Sequence, residues 1–345
     1  MGRGGPVVAS SLVLAGALCL SASAVLVKLA GADAATTAVA RCAIAVVVLI
    51  PLAFRERTRH GALSRGGVLW SLAAGAALGI DYAAWTASIH HVGAGISTVL
   101  INTQVLVLPA LAFLVDRERV TARFVITLPL MLLGISLVGG LWNASLRGPD
   151  TTTGVLLGVI AGCGYGVYLF VTRRSARRDP GLFVQPLTWA SVSASVAAVM
   201  VSPISGGIQL AGIPARSWVL LALLAVLGQV AAWLFIHHGS VLLPLTTTGG
   251  LLLVQPILAL GLSALILGEH PTVLQLVGAA VVVTGVATAN GLLLRKRRCW
   301  ADSRVRTDAP VGLACVDPLP SQRCAMAFRG SWHGTPPTPG SRPAR

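Results

Sequence analysis

The chain has 345 residues, of which 55% are hydrophobic and only 11% charged, with a formal net charge of +15. A soluble domain carries about 25% charged residues, so these few charges could not clothe the surface of a soluble protein of this length. The basic excess is spread over short segments between apolar runs and over the C-terminal segment, with no basic face interleaved with aromatics, which argues against a nucleic-acid-binding module.

Apolar runs recur along the first 294 residues, and a helix needs about 20 such residues to cross a ~30 Å hydrocarbon core. Ten spans are predicted, at roughly 7–28, 36–54, 66–89, 94–115, 122–141, 154–172, 182–203, 217–236, 243–267 and 272–294. Lipid cannot satisfy the edge hydrogen bonds of an open sheet, and the ~10-residue alternation of a membrane β-barrel is not seen. The expected fold class is an all-α polytopic membrane protein. The first run follows Arg3 and contains SASA at 21–24, which could mark signal cleavage. A signal core has only about 7–15 apolar residues, and this longer run has a counterpart in the second half, so it is read as a retained span.

With the N-terminus in the cytoplasm, the inside segments hold sixteen Lys and Arg residues, from Arg3 through Arg55, Arg117 and Arg173 to Arg298. The outside segments hold three: Lys28, Arg147 and Arg216. Short loops rich in Lys and Arg stay inside, so both termini are expected in the cytoplasm and the chain in the cell (inner) membrane. Six cysteines are present, three within spans and three in the C-terminal tail on the reducing side. No disulfide framework is expected there, and no C-x-x-C or Cys/His cluster suggests a metal or cofactor.

The membrane part reads as two halves, 1–148 and 149–294. A shift of 151 residues lays QVLVLPALAFLVDRERVT (104–121) on QPILALGLSALILGEHPT (255–272), so that Gln104 meets Gln255, Glu118 meets Glu269 and Thr121 meets Thr272. Five is odd, so a repeated five-helix unit enters the membrane the opposite way round. That is the inverted repeat of many secondary transporters. Residues 295–345 lack periodicity and end rich in Pro and Arg; they read as a disordered basic cytoplasmic tail.

HHVGAGISTVLINTQVLVLPALAFLVDRERVT and PLTTTGGLLLVQPILALGLSALILGEHPTVLQLVGAAVVVTGV resemble the repeated domain of the EamA transporters, in the drug/metabolite transporter superfamily. The second half, with QP followed by LGEHPT, is close to the family pattern. The first departs from it, with Val105 opposite Pro256 and DRE at 116–118 in place of LGE. Arg41 falls where many members have an Arg. The resemblance covers about 7–294. It implies ten helices around a central cavity and secondary transport of small metabolites, often export, without choosing the solute.

Only Arg41 and Asp81 are charged residues well inside spans. Each costs roughly 2.5–3.5 kcal/mol at the bilayer centre unless paired or hydrated. Their depths differ by about 5 Å, at 1.5 Å of rise per residue, a gap an Arg side chain bridges. Three roles stay open for the couple: a structural ion pair, contact with the solute, and proton coupling through Asp81. Trp85 lies one turn beyond Asp81 and reads either as a cavity wall or as an interfacial belt residue. Asn102, Gln104 and Gln255 are mid-span amides that need partners, either other helices or a wet cavity.

The candidate substrate-binding set is therefore Asp81, Trp85, Asn102, Gln104, Gln255 and Arg41. His90 with His91 and His237 with His238 fall at opposite membrane faces, and Glu118 and Glu269 read as turn and cap residues. The expected function is a secondary transporter of a small metabolite or amino-acid-like compound, exporting by alternating access. Its expected partners are a small-molecule solute and the lipid bilayer. A channel or membrane scaffold is the alternative, and less so an intramembrane enzyme using Asp81. The chain contains no G-x-x-x-x-G-K-[ST] motif of a primary pump.

Overall fold

A computed structural model describes residues 5–117, 122–138, 149–243, 248, 251–252 and 254–289. Every regular element among them is helical, and no strand occurs among the described residues. The helices are α1 (Gly5–Ala30), α2 (Ala34–His60), α3 (Arg65–Val92), α4 (Ala94–Leu100), α5 (Gln104–Asp116) and α6 (Ala122–Val138). They continue with α7 (Pro149–Arg178), α8 (Val184–Val201), α9 (Ala215–Leu224), α10 (Ala232–Val241), α11 (Val254–Leu267) and α12 (Val273–Ala289). The tail at 295–345, with its RKRR run, and the residues Glu118 and Thr121 lie outside the described residues.

Helix boundaries follow local chemistry. Asp33 caps α2 by accepting the Thr36 N–H at 2.8 Å, and Ser64 caps α3 through the Gly67 N–H at 2.9 Å. Pro51, Pro109 and Pro129 lie inside α2, α5 and α6, a placement that membrane helices tolerate. Seven helical stretches are long and apolar enough to cross a membrane, and three shorter apolar helices, Val125–Val138, Val254–Leu267 and Val273–Thr288, accompany them. Val47, Leu69, Ile126, Met200 and Leu265 are exposed. Bare apolar side chains of this kind suit lipid. The chain is a multi-pass α-helical membrane protein.

Two predicted spans are not uniform helices. The fourth changes from α4 to a 3-10 turn at Ile101–Thr103 and then to α5. The eighth holds a π-helical stretch, Ala225–Ala231, between α9 and α10, in which the Ala232 N–H bonds the Leu227 carbonyl. One helix also outruns its predicted span: α7 covers 149–178, beyond the expected 154–172.

Packing centres on α3, which lies chiefly against α7 and α8, while α1 contacts α10 and α11 and α6 pairs with α12. Small residues let the backbones close up. A Cβ on Gly75 would stand 2.1 Å from the Ala190 carbonyl oxygen of α8, so that contact exists only because the position has no side chain. Leu49, Leu78, Leu187 and Ala194 fill one core cluster; Val27, Ile89, Leu221 and Leu224 belong to a second.

Candidate functional site

Arg41 of α2 and Asp81 of α3 are both buried, with 2% and 1% of their surface exposed. The Arg41 guanidinium carbon sits 3.9 Å from the Tyr82 ring centroid and 5.5 Å from that of Trp85. A planar, weakly hydrated guanidinium lies flat on such faces more readily than a compact, strongly hydrated ammonium. Arg41 Nη2 donates to the Gly228 carbonyl at 3.0 Å. Its Nε and Nη1 have no hydrogen-bond partner, and neither has Asp81 Oδ1. The ion pairs among the described residues join His91 to Asp150 and Arg174 to Asp116. Arg41 and Asp81 therefore share a site without forming the direct pair that was one of their open roles.

The π-helical stretch holds this arrangement. Gly228 supplies the carbonyl for Arg41, and the next residue, Gln229, is fully buried. Its Oε1 accepts from the Tyr82 hydroxyl, and its Nε2 donates to Ser191 Oγ at 3.2 Å. Two consecutive residues of the widened turn thus carry three polar contacts, to α2, α3 and α8. Single π-turns inside α-helices recur at functional sites.

Arg41, Asp81, Tyr82, Trp85 and Gln255 line one cavity of about 30 Å³, closed further by Tyr165 and Trp233. That is room for about one or two waters, whereas small-molecule sites take roughly 300–1,000 Å³. A small-molecule solute does not fit in that space. The indole N–H groups of Trp85 and Trp233 are buried without partners, so the wall contains donors as well as rings.

Of the six expected site residues, four come together here: Arg41, Asp81, Trp85 and Gln255. Trp85 is 5% exposed and belongs to the cavity wall rather than a surface belt. Asn102 does not line the cavity; its Nδ2 donates to the Thr98 and Val99 carbonyls of its own chain turn, at 3.0 and 3.2 Å. Gln104 also stands outside the lining, at the start of α5, with its Oε1 buried and unpartnered. Tyr82, next to Asp81 and outside that expected set, is central to the cavity. Gln229, Tyr165 and Trp233 were not anticipated. A Gln beside a Gly within the apolar run AVLGQVAAWLF was the available signal for the first.

The histidine pairs stay away from the cavity. His91 stands 3.9 Å from Asp150, and the His237 ring stacks on Phe183 with centroids 3.8 Å apart. Among the described residues, no group of three or more His, Cys, Asp or Glu is placed to hold a metal ion.

The family model described as "EamA-like transporter family" matches the chain twice, over residues 8–140 and 152–291. The chain belongs to the EamA-like transporter family. It is a membrane transporter of the drug/metabolite transporter type. A solved structure titled "Crystal structure of protein" is similar to this EamA-like transporter with a TM-score of 0.56 and 16% identity. The similarity covers 84% of this chain and 99% of the other, and it speaks to the fold alone. No curated protein matches the chain.

Proposed function

We propose that this EamA-like chain is a secondary transporter that exports a small metabolite or amino-acid-like compound by alternating access. In this reading ten helices form two inverted five-helix repeats, 1–148 and 149–294, which rock about the Arg41–Asp81 cavity. Both termini lie in the cytoplasm, as the distribution of Lys and Arg implies. The direction of transport rests on the family's habits.

One observation carries the reading: a buried cation and a buried anion line the same cavity, and each keeps polar atoms without a hydrogen-bond partner. Unpartnered buried charges are costly. A solute with its own carboxylate and ammonium satisfies both, the carboxylate on Arg41 and the ammonium on Asp81. Trp85 and Gln255 complete the contact surface, and Asn102 and Gln104 join it as the fourth span rearranges. A proton on Asp81 is the second coupling option, favoured by its place in a cavity large enough only for water.

The test is a solute screen in proteoliposomes, with and without a pH gradient. Saturable flux of a zwitterionic solute, reduced at least about tenfold by Asp81→Asn, is expected. Non-saturable flux would point to a channel, and conversion of the solute by purified protein to an enzyme. Full transport by Asp81→Asn with unchanged pH dependence would remove both functional roles of that residue.

A further inference from the structure

Between α3 and α4 the chain turns on one residue, Gly93, whose φ of +89° lies in the left-handed region. α4 then runs for only seven residues before the 3-10 turn at Ile101–Thr103 interrupts it. A glycine at one end and a 3-10 turn at the other make α4 a short lever between two pivots. Thr98 of this lever and Ile101 of the turn line the Arg41–Asp81 cavity.

The free end of α4 is held from a distant part of the chain. Glu269 Oε1 accepts the Ala94 N–H at 2.8 Å, and Oε2 accepts the Gly95 N–H at 3.2 Å. These are the exposed donors of a helix start, where a negative charge is favoured. Glu269 itself is fixed from both sides. Its N–H bonds the Ser263 carbonyl at 3.3 Å, just past Gly268, whose φ is +67°, the left-handed glycine that commonly ends a helix. Three residues on, Thr272 and Gln275 form a reciprocal capping box at the start of α12, with bonds of 2.9 and 3.3 Å.

Glu269 therefore does more than cap its own turn: Thr272 does that, and the carboxylate reaches across to α4. A cavity of about 270 Å³ lies alongside, lined by His91, Ile96, Glu269, His270, Thr272 and Gln275. Neither ion pair among the described residues involves Glu269; its carboxylate oxygens bond backbone N–H groups.

We infer that Glu269 is a latch: its carboxylate pins α4 over the Arg41–Asp81 cavity, and release of Ala94 and Gly95 lets α4 swing and open that cavity toward the α3–α4 face. The inference rests on the proposed role of the cavity as the solute site. Charge-assisted bonds of this kind shift an equilibrium by roughly ten- to a hundredfold each, enough to hold a lever shut yet low enough to release within a transport cycle. The other face is tied more heavily. There Glu56 accepts the N–H groups of Phe183, Val184 and Gln185, and the Gln185 side chain bonds both Leu63 and Gly61.

The experiment uses the full chain with its six cysteines replaced by Ala or Ser, and Thr98→Cys as reporter. The rate of labelling by a bulky polar maleimide is measured in lipid nanodiscs, where both faces are reachable. Glu269→Ala is expected to raise the rate at least about tenfold, and Glu269→Gln, which keeps an acceptor oxygen without the charge, at least about threefold. Thr272→Ala, which breaks the α12 cap without touching α4, is expected to lower the melting temperature and leave labelling unchanged. The latch is overturned if both Glu269 variants label at the parent rate, or if Thr272→Ala exposes the reporter as much as Glu269→Ala. Labelling needs no solute, so faster labelling without flux would sink the transport reading and keep the latch, and the reverse pattern would do the opposite.

Discussion

Arg41 and Tyr82 form the central contact of the cavity, the guanidinium carbon lying 3.9 Å from the ring centroid. The contact joins α2 to α3 and is anchored behind by the hydroxyl of Tyr82 on buried Gln229. A cation is thereby held against an aromatic face while two of its nitrogens remain without partners.

Tyr82→Phe retains the ring and removes the hydroxyl. Gln229 Oε1 then loses its donor inside a fully buried site, a loss worth about 1–3 kcal/mol. The thermal unfolding midpoint should fall, while the substrate concentration for half-maximal transport should change less than in Tyr82→Ala, which also removes the cation–π contact.

Arg41→Lys conserves charge and discards the planar fork. A lysine cannot stack on Tyr82 while also reaching the Gly228 carbonyl, so transport should fall at least about tenfold. Uptake measured beside an unfolding curve separates this from loss of fold; wild-type transport by the lysine variant would contradict the role assigned to the guanidinium.

Gly228→Ala tests the π-helical turn. The added Cβ would stand 2.7 Å from the Ser23 Cβ and 3.4 Å from Arg41 Nη2. Crowding of this kind costs about 1–3 kcal/mol. The expected outcome is a lower unfolding midpoint together with weaker solute binding, because α1 and Arg41 are displaced at once.

How far the sequence is legible can be judged from these same residues. Arg41 and Asp81 stand out because ionised groups are rare in apolar spans, and hydropathy locates most helices for the same reason. The breaks at 101–103 and 225–231 coincide with the polar residues Asn102, Thr103 and Gln229, but isolated polar residues in an apolar span do not specify a change of helix type. Asn102 looked like a cavity residue because a mid-span amide needs partners, and it finds them in its own backbone. Glu56 drew no attention near the end of α2, since its three N–H partners lie more than 120 residues away, and only the fold brings them together.

Glu56 gives a structural prediction that leaves the cavity alone. Glu56→Ala strips one acceptor from three N–H groups at the start of α8, which should lower stability by about 1–3 kcal/mol. Transport at temperatures well below the unfolding midpoint should stay within about threefold of the parent. A tenfold loss of flux without a change in the midpoint would show that α8 entry is part of the working site.

The most direct measurement of the central claim is counterflow of a labelled zwitterionic amino acid in proteoliposomes containing the parent chain, Asp81→Asn or Arg41→Lys. Saturable exchange by the parent is expected, competed by the zwitterion much better than by its decarboxylated amine or its deaminated acid, with at least about tenfold weaker exchange in both variants. Equal competition by all three compounds, or parent-level exchange in both variants, would contradict a solute site built on Arg41 and Asp81.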